Sequence, residues 1–166
     1  YSVESLAQIF HDYGEERWGK RIAEFIAENR PIATTGELVD VIERAIPKVG
    51  RRQISGHPAK RVFQAIRIEV NRELAILKGS IEDATESLAP GGRIVVIAFH
   101  SLEDRIVKET FKELSQGCIC PPNFPVCVCN HHATLRILGK AKAPRQEEIA
   151  ANPRAKSAKL RVAEKI

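Results

Sequence analysis

The feature that most constrains this chain is the run Ile94-Val95-Val96-Ile97-Ala98-Phe99. It is continuous, apolar and rich in β-branched residues, which suits a strand covered on both faces, as in a parallel sheet. Pro90-Gly91-Gly92 marks a change of texture before it, and His100-Ser101 ends it. Ser101 then reads as the cap of a helix with Glu103 and Asp104 in its first turn and Ile106, Val107 and Phe111 facing the sheet. Strand, polar turn and helix in succession are the local grammar of a doubly wound α/β sheet, where ligands gather at the carboxyl ends of strands. His100 to Arg105 would lie at that edge.

The residues before this run read as helical. Ser2 caps a first helix with Val3, Leu6, Ile9 and Phe10 on one face, ended by Gly14. Glu15-Glu16 opens a second, carrying Trp18, Ile22, Phe25 and Ile26 and stopped by Pro31. Thr34-Thr35 starts a third, with Leu38, Val41, Ile42 and Ala45 inward. Residues 47–57 form a basic linker with Lys48, Arg51 and Arg52. Pro58 suits the start of a long helix with Val62, Ala65, Ile66, Val70, Leu74 and Leu77 inward, kinked at Gly79-Ser80 and running to Leu88. Beyond Phe111, residues 117–133 form a Cys- and Pro-rich loop and Leu135 to Leu138 a short strand. Pro144 to Ala151 reads as a brief helix. The alternation of Lys159-Leu160-Arg161-Val162-Ala163 suits a last strand near a sheet edge.

Length and composition narrow the class. At 166 residues and 28% charged, the chain is long enough to bury a core. It has no apolar run of about 18 residues, so no membrane span is expected. It contains no methionine and begins on the bulky Tyr1, which reads as part of a longer protein rather than a native start. The net charge of +5 is uneven: residues 136–166 hold nine Lys or Arg against three Glu. A basic tail on a near-neutral body suits a phosphate-rich partner, or is a solvated surface tail.

Four segments carry candidate chemistry. The turn from His100 to Arg105 places an imidazole and acids at a strand end, which suits hydrogen-bond control of a substrate; helix capping and surface ion pairs would use the same residues. Lys60, Arg61, Gln64, Arg67 and Asn71 recur every three or four residues, a stripe that could grip phosphates or base edges, or simply face solvent. Arg154, Lys156 and their neighbours could neutralise phosphates, or protect an edge strand. Cys118, Cys120, Cys127 and Cys129, beside His131 and His132, could hold structural zinc, remain reduced without metal, or form disulfides.

Five blocks then occur in order: Tyr13-Gly14-Glu15-Glu16-Arg17; His57-Pro58-Ala59 running through Phe63-Gln64-Ala65 to Arg67-Ile68-Glu69-Val70-Asn71; Gly91-Gly92-Arg93; His100-Ser101-Leu102-Glu103-Asp104-Arg105; and Asn152-Pro153-Arg154 with Ser157-Ala158 and Leu160-Arg161. This order resembles the bacterial 16S ribosomal RNA cytosine-N(4) methyltransferase family, which is S-adenosylmethionine-dependent. The family pattern has Thr at Lys60, Leu at Ile66 and Ser at Ala98, and only some of its members carry the cysteine loop.

The resemblance implies an α/β fold. Specifically, it implies the C-terminal part of a Rossmann-like class I methyltransferase with a helical insertion, the N-terminal cofactor half being missing. Residues 1–75 would be the helical insertion that recognises substrate, and 76–166 the methyltransferase part. No cofactor-binding residue is expected in this chain, because the S-adenosylmethionine site would lie mostly upstream of residue 1. His100, Ser101 and Asp104 would border the substrate pocket, while Arg61, Gln64, Arg67, Asn71, Arg154 and Lys156 would meet RNA. The implied partner is small-subunit ribosomal RNA or the assembled subunit, in the cytoplasm. The implied reaction joins a methyl group to the exocyclic amine of a decoding-region cytidine. That amine is a weak nucleophile, so catalysis is chiefly positioning, and the base must leave its stack. Alone, the chain is expected to be inactive. Two other readings stand beside this one: an RNA-binding module without catalysis, and a zinc-stabilised interaction domain. An unpaired strand edge at Ile94–Phe99 would favour a homodimer or a swapped dimer.

Overall fold

The computed structural model describes residues 1–51, 56–118, 120–121, 126, 128–129 and 131–166. They divide into two compact units, Tyr1–Glu73 and Leu74–Ile166.

The first unit is helical. Ser2 caps α1 (Val3–Asp12), its side chain accepting from the Ser5 N–H at 3.2 Å. Helix α2 (Gly19–Glu28) starts later than the acids suggest. Glu15 sits at φ +47, and the buried Glu16 spends its carboxylate on the Trp18 N–H at 3.1 Å, so this pair builds a turn rather than a first helical turn. Thr34 and Glu37 form a full capping box at the start of α3 (Thr35–Ala45). A short helix, α4 (Lys48–Arg51), occupies the beginning of the basic linker; Arg52 lies outside the described residues.

The long helix read from Pro58 is two helices, α5 (Lys60–Asn71) and α6 (Glu73–Ser87). Arg72 breaks it at φ +54, its N–H capping the Ile68 and Glu69 carbonyls. The backbone continues through Gly79-Ser80, where Ser80 Oγ donates to the Ile76 carbonyl at 2.9 Å. On α5 the buried positions are Val62, Ala65 and Ile68, while Val70 is 72% exposed. At 100° per residue, Val70 lies about 200° from Ile68 and cannot share its face. The core of this unit joins Phe10, Ile22, Ile42, Ile46 and Val62, all fully buried. Each such side chain contributes about 1.5–3 kcal/mol of transfer free energy.

The second unit is α/β: α6, β1 (Arg93–Ala98), α7 (Ser101–Leu114), β2 (Leu135–Ile137), α8 (Gln146–Ala151), a 3-10 turn (Pro153–Ser157) and β3 (Lys159–Lys165). The strand order is β1-β3-β2 with both pairs antiparallel, Val96 opposite Arg161 and Ile137 opposite Ala163. Thus β3 is the middle strand, not an edge. Its alternation is inverted from the usual one: Lys159 and Arg161 share the covered face with Ala163, while Leu160 and Val162 lie on the other face with Val95 and Ile97.

The parallel, doubly covered reading of β1 is likewise corrected among the described residues. Ile94 and Val96 turn to a core of Ile81, Val107, Phe111, Leu135 and Ala163. Val95, Ile97 and Phe99 are each more than half exposed. The run is apolar on both sides, but only one side is covered here. Among the described residues no helix is long and apolar enough to cross a membrane.

Candidate functional site

The carboxyl end of β1 makes a tight polar corner. His100, not Ser101, is the N-cap of α7: its Nδ1 accepts from the Glu103 N–H at 3.3 Å, and Glu103 Oε2 accepts from the His100 N–H at 3.2 Å and the Phe99 N–H at 2.8 Å. A capping histidine must present an unprotonated Nδ1, so the imidazole proton sits on Nε2. That atom is buried and lies 3.3 Å from Glu103 Oε1, but without the geometry of a hydrogen bond. Ser101 is exposed as the first residue of α7.

Asp104 faces the other way, into the core layer, at 8% exposure. Its carboxylate accepts from Arg161 Nε at 2.7 Å, Arg161 Nη2 at 3.1 Å and Lys159 Nζ at 3.1 Å. Position explains the contact: Asp104 stands three and seven residues before Val107 and Phe111 on the buried face of α7. Lys159 and Arg161 share one face of β3, two residues apart. The Arg161 guanidinium holds the Asp104 carboxyl below the ordinary carboxylate range; burial opposes this and Lys159 assists it. Lys159 and Arg161, both in the basic tail, thus meet an acid of the same unit, Arg161 largely covered and Lys159 half exposed.

On the opposite face of the sheet, β1 and β3 floor a groove of about 330 Å³ with Ile97, Phe99 and Leu160, and Lys142, Arg145 and Asn152 stand among its lining. Phe99 belongs to both features, its ring in the groove and its N–H on Glu103. Sequence reasoning missed Lys142 and Arg145. The antiparallel bridge of Lys142 to Leu160 brings them there, and no local pattern announces it. Arg154 and Lys156 are exposed on the 3-10 turn, where Asn152 Oδ1 accepts from the Arg154 N–H at 3.2 Å.

The α5 stripe also makes contacts within the chain. Arg61 Nη1 donates to the Glu15 carbonyl at 3.2 Å and Gln64 Nε2 to the Tyr13 carbonyl at 3.3 Å. Arg67 grips Glu73 with Nε and Nη2 at 2.9–3.2 Å, and Asn71 Nδ2 reaches the same carboxylate at 3.0 Å. Two of the ordered sequence blocks thus meet: the Tyr13–Arg17 turn is seated on α5. Gly14 makes this possible, since a Cβ there would stand 2.7 Å from the Phe10 carbonyl and 3.0 Å from that of Arg61.

In the loop after α7, the sulfur atoms of Cys118, Cys120 and Cys129 lie within 4.8 Å of one another. Cys127 lies outside the described residues. His131 is engaged elsewhere, its Nε2 3.1 Å from the Glu113 carbonyl.

Proteins named ribosomal RNA small subunit methyltransferase H are similar to this chain. The one from Clostridioides difficile is 56% identical over 170 residues, covering 100% of this chain and 54% of the relative. Those from Heliobacterium modesticaldum and Finegoldia magna are 57% identical over 165 residues and 55% over 170, covering 97% and 100% of this chain and 52% and 54% of the relatives. The chain spans about half the length of the curated relatives it matches. The sequence profile of the MraW methylase family matches residues 1–166, and the chain belongs to that family.

Proposed function

We propose that this chain supplies the substrate-side half of an S-adenosylmethionine-dependent methyltransferase of small-subunit ribosomal RNA, acting on the exocyclic amine of a cytidine. The observation that carries this reading is the corner at the end of β1. There Phe99 and His100 are fixed by Glu103, Asp104 is fixed by β3, and Phe99 opens into a groove with Lys142 and Arg145 in its lining. An exposed aromatic floor with cations beside it suits an unstacked nucleotide, the ring taking the base face and the cations a phosphate. In this reading Ser101 and the mostly covered His100 border the substrate pocket, and Asp104 is a positioning residue that keeps the corner on the sheet. The Rossmann-like assignment rests on the order of strand, polar corner and covering helix, and the rRNA substrate on the names of the relatives.

The residues described here do not fit the cofactor. The strand-to-helix turn at Phe99–Ser101 has no glycine, and the N-terminus of α7 is already filled by the His100–Glu103 box, whose carboxylate would repel a cofactor carboxylate. No cofactor contact is assigned to this chain, and by itself it is inactive in this reading. Titrating S-adenosylmethionine into the 166-residue protein should give no heat of binding, and a clear isotherm would overturn that part.

The main test uses a protein as long as its curated relatives, with labelled cofactor and small-subunit rRNA or assembled subunits. His100→Ala should lower transfer roughly 10- to 100-fold, the cost of losing reactant alignment, with the protein still folded but about 1 kcal/mol less stable, because His100 caps α7. Full turnover by that variant would remove the corner from the site. Arg154 and Lys156, exposed and basic, contribute salt-sensitive phosphate contacts in this reading. Arg61, Gln64, Arg67 and Asn71 act indirectly, by seating the Tyr13–Arg17 turn and Glu73. The open edge of β1 and its exposed Val95 and Ile97 favour pairing with a second copy; light scattering that finds only monomer at high concentration would refute this.

A further inference from the structure

We propose that the loop between α7 and β2 is a structural zinc site in which Cys118, Cys120 and Cys129 are three of the ligands. Leu114 and Thr134, twenty residues apart, clasp the base of this loop through the Thr134 N–H to Leu114 carbonyl bond at 2.8 Å. Between them the described residues form no helix or strand, and none is buried. Val126 and Val128 point outward, 68% and 67% exposed. Described residues of so long a connection that bury no side chain have little to offset their conformational entropy, and a metal clip is the usual remedy where burial is insufficient.

The sulfur geometry suits one. Thiolates about 2.3 Å from a tetrahedral zinc stand about 3.8 Å apart. Cys129 Sγ is 3.7 Å from Cys118 Sγ, and the Cys120 sulfur lies within 4.8 Å of both. Three sulfur donors with no carboxylate in the group select a soft or borderline ion over magnesium or calcium. His131 and His132 lie beside the cysteines in sequence but do not belong to the described cluster. On binding, each thiol gives its proton to solvent and the thiolate takes the metal, with no change of oxidation state. The site is remote from the catalytic reading above and stands or falls without it: it fixes a surface loop.

The test is metal analysis of the protein purified under reducing conditions without chelator, followed by cobalt(II) substitution. About one zinc per chain is expected, and cobalt should give sulfur-to-metal charge-transfer absorption together with the visible bands of a tetrahedral site. The double substitution Cys118→Ser/Cys129→Ser should abolish both signals while circular dichroism stays near wild type, because neither residue belongs to a core cluster. His131→Ala should keep the metal. The proposal is overturned if cobalt gives no charge-transfer band, if the double variant retains zinc, or if the loop is found as a disulfide by a mass two daltons lower per bond.

Discussion

Replacing Asp104 with Asn tests whether the corner is clamped to the sheet by charge. Three charge-assisted hydrogen bonds end on this carboxylate. The Lys159 side chain is 53% exposed, so its bond is screened and contributes at most about 1 kcal/mol. The Arg161 and Asp104 side chains are only 20% and 11% exposed. Removing one partner of a fully buried pair costs about 3–5 kcal/mol. Asn retains one acceptor oxygen for Arg161, which leaves about 2–3 kcal/mol as the expected loss. Trp18, Tyr1 and Tyr13 all lie in the first unit, so their fluorescence does not report this change. Amide exchange of β3 and α7 peptides by mass spectrometry does, and should accelerate roughly 30- to 140-fold at neutral pH.

The pH dependence has a fixed sign. A depressed folded-state pKa gives stability that is full above the unfolded value, near 3.9, and lost as pH falls through the folded value below it. Wild type and Asp104→Asn should therefore converge in exchange as pH falls below about 4. Adding Arg161→Met to Asp104→Asn should cost less than the two single changes summed, because no orphan charge remains. A neutral-pH difference under about 0.5 kcal/mol, the size of an ordinary surface change, would refute the clamp, as would a difference that persists unchanged at low pH.

Gly14→Ala should destabilise the first unit by about 1–3 kcal/mol, as overpacking against two carbonyls does; a Trp18 fluorescence midpoint in urea reads it, and a neutral result would mean that α5 shifts freely. Thr34→Ala removes the capping-box acceptor of α3 and should cost about 1 kcal/mol by the same measurement. If Arg154 and Lys156 meet phosphates, replacing both with Gln should weaken RNA binding and lower the slope of log K against log salt by about 1.4–1.8, whereas an unchanged slope removes them from the interface.

Local signals were legible where one element carries them whole. Ser2 and Thr34 cap their helices as their positions suggest, and the strand at Arg93–Ala98 follows from its β-branched run. Signals that need a partner far along the chain were not. The α5 stripe reads as a nucleic-acid grip, and nothing in its spacing announces that Gln64 and Arg61 also hold the Tyr13 and Glu15 carbonyls, 51 and 46 residues away. Glu15-Glu16 reads as a helix start until the positive φ at Glu15 and the burial of Glu16 turn it into a seat for Trp18.

Asp104 shows where inference could have gone further. Its spacing to Val107 and Phe111 already turns it inward, and an inward carboxylate requires a cation. Lys159 and Arg161, two apart on a strand whose next alternate residue is the buried Ala163, are the pair that period places on a covered face. An acid on the inner face of a helix and two cations on the inner face of a strand leave few other places for their charges to go. The residues nearest the corner then divide by direction: those facing the sheet, with the capping imidazole of His100, hold it in place, and Ser101 and Phe99, exposed at the strand end, are where the proposed reading puts the substrate.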